Sequence, residues 1–284
     1  MDKLKIGFIG QGFVGKNMAD NFAERGYEVI RYSLEPEYFS NKDTIKTCGI
    51  VFIAVPTPTT PNGYDSSIIR KVIPLVGKNK IIVLKSTILI SLTRTLQNEF
   101  PDYVIIHSPE FLSEATVVQD IANPFVNIVG IPIDSDKHKH AAELVHAILP
   151  KAPESVTVTS DEAELIKYCH NCSGYTQIIF FNLMYDIAQK LGADWRVIEK
   201  AVKADPFVSN RYVQPVHKSG RGAGGHCFPK DFEALLRFYQ ENIKDEKGLK
   251  VLESIRDKNV ELLLNSGKDR NLLAGVYNIS NAEK

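Results

Sequence analysis

One of the four cysteines stands where a nucleophilic thiolate is best placed. The run Gly220-Arg221-Gly222-Ala223-Gly224-Gly225-His226-Cys227-Phe228-Pro229-Lys230-Asp231 carries a glycine-rich loop into the start of a helix. Pro229 suits a first helical position and residues 230–242 read as the helix, so Cys227 falls at the positive end of a helix dipole with Lys230 close by. Both effects favour the thiolate. The plainer alternative is a buried cysteine ahead of an ordinary helix. Upstream, Lys167 and Asn171 are four apart in a helical pattern and share one face, so both can aim at one point, although an isolated pair of this kind faces solvent in most helices. Cys169 and Cys172 have the spacing of a metal or redox pair, but no second ligand pair or thioredoxin-like context accompanies them, and both read as small packing residues. The seven histidines form no cluster at metal-ligand spacing, and His226 reads as a neighbour of the thiol rather than its base. No metal is expected.

These residues need a scaffold, and the N-terminal half reads as a cofactor domain. Residues 4–9 form a buried strand pattern that opens onto Gly10-Gln11-Gly12-Phe13-Val14-Gly15 and an amphipathic helix ending near Gly26. In such a dinucleotide-binding turn, Gly10 permits the sharp bend, Gly12 lets the backbone approach a pyrophosphate, and Gly15 lets the helix lie close on the strand. Strand patterns follow at 27–32, 49–55, 80–84, 103–106, 126–130 and 155–158, mostly separated by helical or loop segments. That alternation predicts an α/β fold, a Rossmann-type doubly wound parallel sheet. Ligands of such sheets lie at the carboxyl ends of the strands, where Val55-Pro56-Thr57-Pro58, Ser86-Thr87 and Pro109-Glu110 fall. The end of the second strand carries Arg31, Tyr32 and Ser33, with Glu35 two residues on, where an NAD site usually has Asp or Glu. NAD and NADP therefore both stay open at this point.

Thr159 to Glu162 has capping-box spacing and starts a helix of about 30 residues, roughly 45 Å long, that stops at Gly192. The expected organisation is a Rossmann domain over 1–158, a long connecting helix over 159–192, and an all-α domain over 193–284 that carries Cys227 and serves dimerisation. The tail from residue 265 carries no pattern and reads as a frayed terminus.

With 34 basic and 34 acidic residues in 284, the charge balance argues against a nucleic-acid partner. Apolar runs such as 178–181 are far below the roughly 18 to 20 residues of a membrane span, so no membrane partner is expected. The N-terminus enters a strand pattern without the features of a signal peptide, and the cysteines have no disulfide-framework spacing. A cytoplasmic protein is expected.

Taken in order, the blocks 10–15, 55–58, Lys85-Ser86-Thr87, Ser108-Pro109-Glu110-Phe111-Leu112-Ser113-Glu114, Ala163-Glu164-Leu165-Ile166-Lys167 with Asn171, and 224–231 resemble the UDP-glucose/GDP-mannose dehydrogenase family. The resemblance extends to about residue 265. It implies NAD-dependent oxidation of a sugar nucleotide's C6 alcohol to the acid, with UDP-glucose as the first substrate to consider. Such a four-electron oxidation reduces two dinucleotides while the aldehyde is held, and the resemblance implies that Cys227 holds it as a thiohemiacetal and then a thioester. By the same resemblance Lys167 and Asn171 stabilise the oxyanion, and Thr87, Glu114 and Asp231 hold or activate water and assist proton transfer. Gly10, Gln11, Gly12, Phe13, Val14, Gly15, Ser33, Val55, Pro56, Thr57, Thr87 and Glu114 would line the cofactor. Glu110, Phe111, Leu112, Lys167, Asn171, Lys218 and Gly224 would meet the substrate, and a homodimer built on the long helix and residues 195–264 is expected.

The family normally continues into a further C-terminal nucleotide-gripping domain, and this sequence stops about one domain short of that. Two other classes stay in view. One is a two-electron NAD(P)-dependent dehydrogenase on a smaller hydroxylated substrate, which would need no thiol. The other is a non-catalytic binding subunit relying on a partner chain, which would need none of the Cys227, Lys167, Asn171 and Asp231 ensemble.

Overall fold

The computed structural model describes residues 4–277 and Ile279, so the first three residues and most of the last seven lie outside the description. The chain forms two compact units, Met1–Thr57 with Asp65–Lys167, and Pro58–Tyr64 with Tyr168–Lys284.

The first unit is built on seven strands: β1 (Lys5–Ile9), β2 (Glu28–Tyr32), β3 (Ile50–Ile53), β4 (Ile81–Leu84), β5 (Val104–His107), β6 (Asn127–Ile131) and β7 (Ser155–Thr159). They lie in the order β2-β1-β3-β4-β5-β6-β7. The inner strands β1, β3, β4, β5 and β6 are near-continuous apolar runs, as in a parallel sheet covered on both faces, whereas the edge strands β2 and β7 carry polar residues and are more exposed. Every residue of β3, β5 and β6 is buried. Phe8 of β1 stacks on Phe52 of β3 at 5.0 Å, and Phe22 of the first helix, Phe13–Glu24, meets both rings edge-on. The sheet is parallel except at one step, where β5 and β6 join through an antiparallel pair, His107↔Gly130. The connection between those strands contains only a six-residue helix, Val117–Ala122, in place of a full crossover helix, and the chain turns back there.

The central helix, Ser160–Leu191, has 32 residues. Its capping box is complete: Glu162 Oε2 accepts from the Thr159 backbone N–H and hydroxyl, both at 2.8 Å, and the Glu162 N–H donates back to Thr159 Oγ1. Gly192, at φ +69°, ends it.

In the second unit the central helix continues into Trp195–Ala204, the thiol helix Phe228–Asn242, and two C-terminal helices, Glu246–Ser266 and Arg270–Tyr277. This unit also contains two short hairpins: Thr59–Thr60 with Gly63–Tyr64, from within the stretch expected to be Rossmann, and Val216–His217 with Gly220–Arg221, inside the stretch expected to be all-α. The tail expectation also needs correction, because residues 270–277 form a helix with Leu273 and Val276 buried. Gly267, at φ +70°, turns the chain out of the preceding helix, and a segment of eight residues is too short to show a clear apolar period. The rest of that tail, at 278 and 280–284, lies outside the described residues. Among the described residues, no helix is long and apolar enough to cross a membrane.

Candidate active site

Cys227 is exposed and occupies the N-cap of the thiol helix, with Pro229 in the first turn. Its carbonyl accepts the Asp231 N–H at 2.9 Å. The loop before it needs glycine at two points, Gly222 at φ +91° and Gly225 at φ +79°. One turn into the helix, Asp231 is 2% exposed and its carboxylate is held from both sides, by Asn171 Nδ2 at 2.6 Å and by the Lys230 ammonium. Asn171 is thus buried rather than solvent-facing. Tyr175, one turn further along the central helix, stacks on Phe232 at 4.1 Å and fixes the two helices where Asn171 meets Asp231. Lys218 is at the exposed tip of the second hairpin with φ +55°, and His226 is exposed beside the thiol. Gly224 packs so tightly on Asp269 that a Cβ there would collide with its carboxylate.

Several groups holding this loop have no counterpart in the sequence reading. Asn259 Oδ1 accepts from the Ala223 N–H at 2.7 Å and its Nδ2 donates to the Ala223 carbonyl at 3.0 Å. Lys268 Nζ donates to the Gly222 carbonyl, and Asp269 Oδ2 accepts from the Gly225 N–H. They lie 36 to 46 residues from their loop partners, so no local pattern announces them.

The two cysteines of the central helix part company. Cys172 is buried, and burial raises its pKa, with Asp231 adding to the effect. Cys169 is exposed and does not pack as expected.

In the first unit, the β1 turn has the shape of a dinucleotide cradle. Gly10 has φ +91°, and a Cβ there would strike the Ala54 carbonyl, while one on Gly15 would strike the Gly10 carbonyl. A Cβ on Gly12 would meet nothing within 4 Å, so the backbone is open to an approaching phosphate. No side chain caps the first helix and no acidic residue enters its first turn, which leaves its N-terminal N–H groups to an anion. Gln11 is buried and donates to the Gly10 carbonyl, while its Oε1 has no hydrogen-bond partner. Phe13 is exposed, and Val14 half-buried, at the start of that helix. The residues present fit an NAD-type cofactor.

At the strand ends Val55 is buried, Pro56 is exposed, and the buried Thr57 hydroxyl donates to the Thr87 carbonyl at 2.7 Å. Ser33 Oγ accepts from the Glu35 N–H at 3.2 Å, and the Arg31 guanidinium is held by Asp20. The 108–114 block lies at the end of β5. Lys167 Nζ donates to both the carbonyl and the carboxylate of Glu110, and lies 5.5 Å from the centre of the Phe111 ring. Lys167 is 4% exposed. Beside it, Lys85 Nζ donates to Ser108 Oγ at 3.2 Å and to the Pro109 carbonyl at 3.1 Å. Burial pulls the Lys85 pKa down to about 8, partly offset by the Glu110 carboxylate. Burial alone would raise that of Glu110, but the Lys167 ammonium, the Leu112 N–H and Lys85 outweigh it and the net shift is downward. Leu112 is half-buried and Glu114 exposed. Two ammonium groups therefore grip consecutive carbonyls, 109 and 110.

Residues 33–149 match the NAD binding domain of the UDP-glucose/GDP-mannose dehydrogenase family, and residues 161–261 match its central domain. The chain belongs to this family. The matched domain is the family's NAD binding domain, so NAD is the cofactor this fold takes. UDP-glucose 6-dehydrogenase TuaD of Bacillus subtilis is 27% identical over 277 residues, covering 82% of this chain and 58% of that protein. The UDP-glucose 6-dehydrogenase of Rickettsia bellii is 29% identical over 232 residues, covering 78% and 51%. The chain thus spans a little over half the length of these relatives. Among solved structures, a UDP-glucose dehydrogenase of Pyrobaculum islandicum aligns with a TM-score of 0.76 at 24% identity over 90% of this chain and 68% of its own. A 3-hydroxyisobutyrate dehydrogenase of Mycobacterium tuberculosis aligns with a TM-score of 0.70 at 14% identity over 97% and 99%. These two likenesses establish the fold.

Proposed function

We propose that the chain is a nucleotide-sugar 6-dehydrogenase that oxidises the C6 alcohol of a sugar nucleotide, UDP-glucose first among candidates, to the acid. The observation that carries this reading is Cys227, exposed at a helix N-terminus one turn before a buried Asp231–Asn171 pair. NAD, when bound, accepts one hydride at each of the two oxidations. The first turns the alcohol into the aldehyde, with the hydroxyl proton passing to water. The Cys227 thiolate then adds to the aldehyde carbon, forming a C–S bond and placing negative charge on oxygen. Lys167 and Asn171 supply the donors for that oxyanion. Loss of the second hydride gives a thioester, and water attacks it, breaking the C–S bond and returning the thiolate. Asp231 holds or activates that water, with Thr87 and Glu114 assisting proton transfer. Gly10 to Gly15, Ser33 and the 55–57 strand end hold the cofactor, while Glu110, Phe111, Leu112, Lys218 and Gly224 contact the substrate.

The working form is a homodimer in the cytoplasm. Phe180, Leu183, Ile187 and Leu191 are exposed at helical spacing along the central helix, an apolar face of the kind that two copies cover by isologous pairing. A two-electron reading draws support from the end-to-end fold match to a hydroxyacid enzyme. Substitution of the thiol separates the two. Cys227→Ser lowers acid formation by roughly a thousandfold or more and leaves NAD binding unchanged. Turnover of the variant at the wild-type rate would refute the covalent route and favour the two-electron enzyme.

A further inference from the structure

The side chains that hold the thiol loop come from one corner of the second unit, the turn between the two C-terminal helices together with the face of Glu246–Ser266 before it. Ser266 Oγ accepts from the Arg221 N–H at 3.1 Å and directs its own proton to the Leu262 carbonyl, one turn back in its helix, at 2.8 Å. Lys268 takes the Gly222 carbonyl at 2.9 Å, Asn259 both polar groups of Ala223, and Asp269 the Gly225 N–H at 2.7 Å. Peptide groups at 221, 222, 223 and 225 are thus all tied by side chains. Asn259 is fully buried and Lys268 is 7% exposed. A buried ammonium spent on a backbone carbonyl is a costly arrangement unless the carbonyl's position matters. Asp269 itself sits in the left-handed region at φ +54°, a conformation that Asp tolerates better than most residues. A loop with four glycines has large conformational freedom to lose, and these bonds remove it immediately before Cys227.

We infer that Lys268 and Asp269 are positioning residues, with Asn259 and Ser266, that hold the 220–226 loop so that the Cys227 thiolate stays registered on the N-terminus of its helix. The inference rests on the reading of Cys227 as nucleophile. Two pairs of variants test it. Asp269→Gly removes the acceptor and relieves the left-handed backbone, whereas Asp269→Asn keeps an acceptor and tolerates that backbone. Lys268→Met removes the donor at similar length, and Lys268→Arg restores one.

The first readout is the pH midpoint of Cys227 alkylation by iodoacetamide, followed by peptide mass spectrometry, with the exposed Cys169 as internal control. The second is steady-state kcat and KM for NAD with UDP-glucose. The expected result for Asp269→Gly and Lys268→Met is an alkylation midpoint raised by about half a pH unit or more and a kcat lowered about tenfold or more. KM for NAD, Cys169 alkylation and the far-ultraviolet spectrum stay at wild-type values, and Asp269→Asn recovers most of the loss. An unchanged Cys227 midpoint in both disruptive variants overturns the inference, as does a loss that Asp269→Asn fails to recover. Failure of the underlying reading looks different: the wild type itself then forms no acid, while the alkylation midpoints still report on the loop.

Discussion

Lys85 Nζ lies buried at the end of β4, between Ser108 and the Pro109 carbonyl, with the Lys167 ammonium and the Glu110 carboxylate beside it. Burial holds its pKa at about 8, below the ordinary lysine value of 10.5. A lysine whose folded pKa is depressed sheds its proton earlier when folded than when unfolded. Between about pH 8 and 10.5 the unfolded chain therefore binds more protons, and stability rises with pH across that window. The gain has an upper magnitude of roughly 3 kcal/mol. Lys85→Met is expected to abolish the rise, as read from urea unfolding at a series of pH values, and an equal slope in wild type and variant would show that the buried ammonium is solvated after all. The lysine could be read from the sequence as part of a strand-end block. Its burial could not, because burial depends on β5 closing over it. Lys167 and Asn171 teach the same lesson: spacing placed both on one helical face, but only packing shows that Lys167 meets Glu110 and Asn171 meets Asp231.

Elements were legible wherever their signal is local. All seven sheet strands lie within a few residues of their strand patterns, and the central helix begins at its Thr159–Glu162 box and stops at Gly192. The turn at β1 follows from three glycines at fixed spacing, and the structure gives each the space that spacing implies. Gly15→Ala drives a Cβ into the Gly10 carbonyl, which is backbone and cannot swing aside. The expected outcome is NAD affinity reduced about tenfold or more, at a stability cost of about 1 to 3 kcal/mol, measured by calorimetric titration and thermal unfolding. Unaltered affinity would mean that the turn does not hold the cofactor. What the sequence could not show is longer in range. The antiparallel step between β5 and β6 is a property of a connection, and the helix at 270–277 is too short for a period. The braces Asn259, Lys268 and Asp269 are defined only by backbone groups some forty residues away.

The molecule as a whole balances 34 acidic against 34 basic residues, so no net field draws it to a polyanion, and its recognition must lie in local sites and surfaces. The apolar face along Phe180, Leu183, Ile187 and Leu191 is the clearest such surface on the central helix. Ile187→Glu places a charge in the middle of it and is expected to shift a dimer to monomer in light scattering coupled to size exclusion, with the fold retained; a variant of unchanged mass would remove that face from the interface. In the proposed function one chain carries a sugar nucleotide through four electrons on one thiol. That route is tested most directly by counting NADH formed per UDP-glucose consumed by the purified wild-type protein. Two NADH are expected for each sugar nucleotide, with the uronic acid as the only product, and one NADH per sugar nucleotide would contradict the four-electron route.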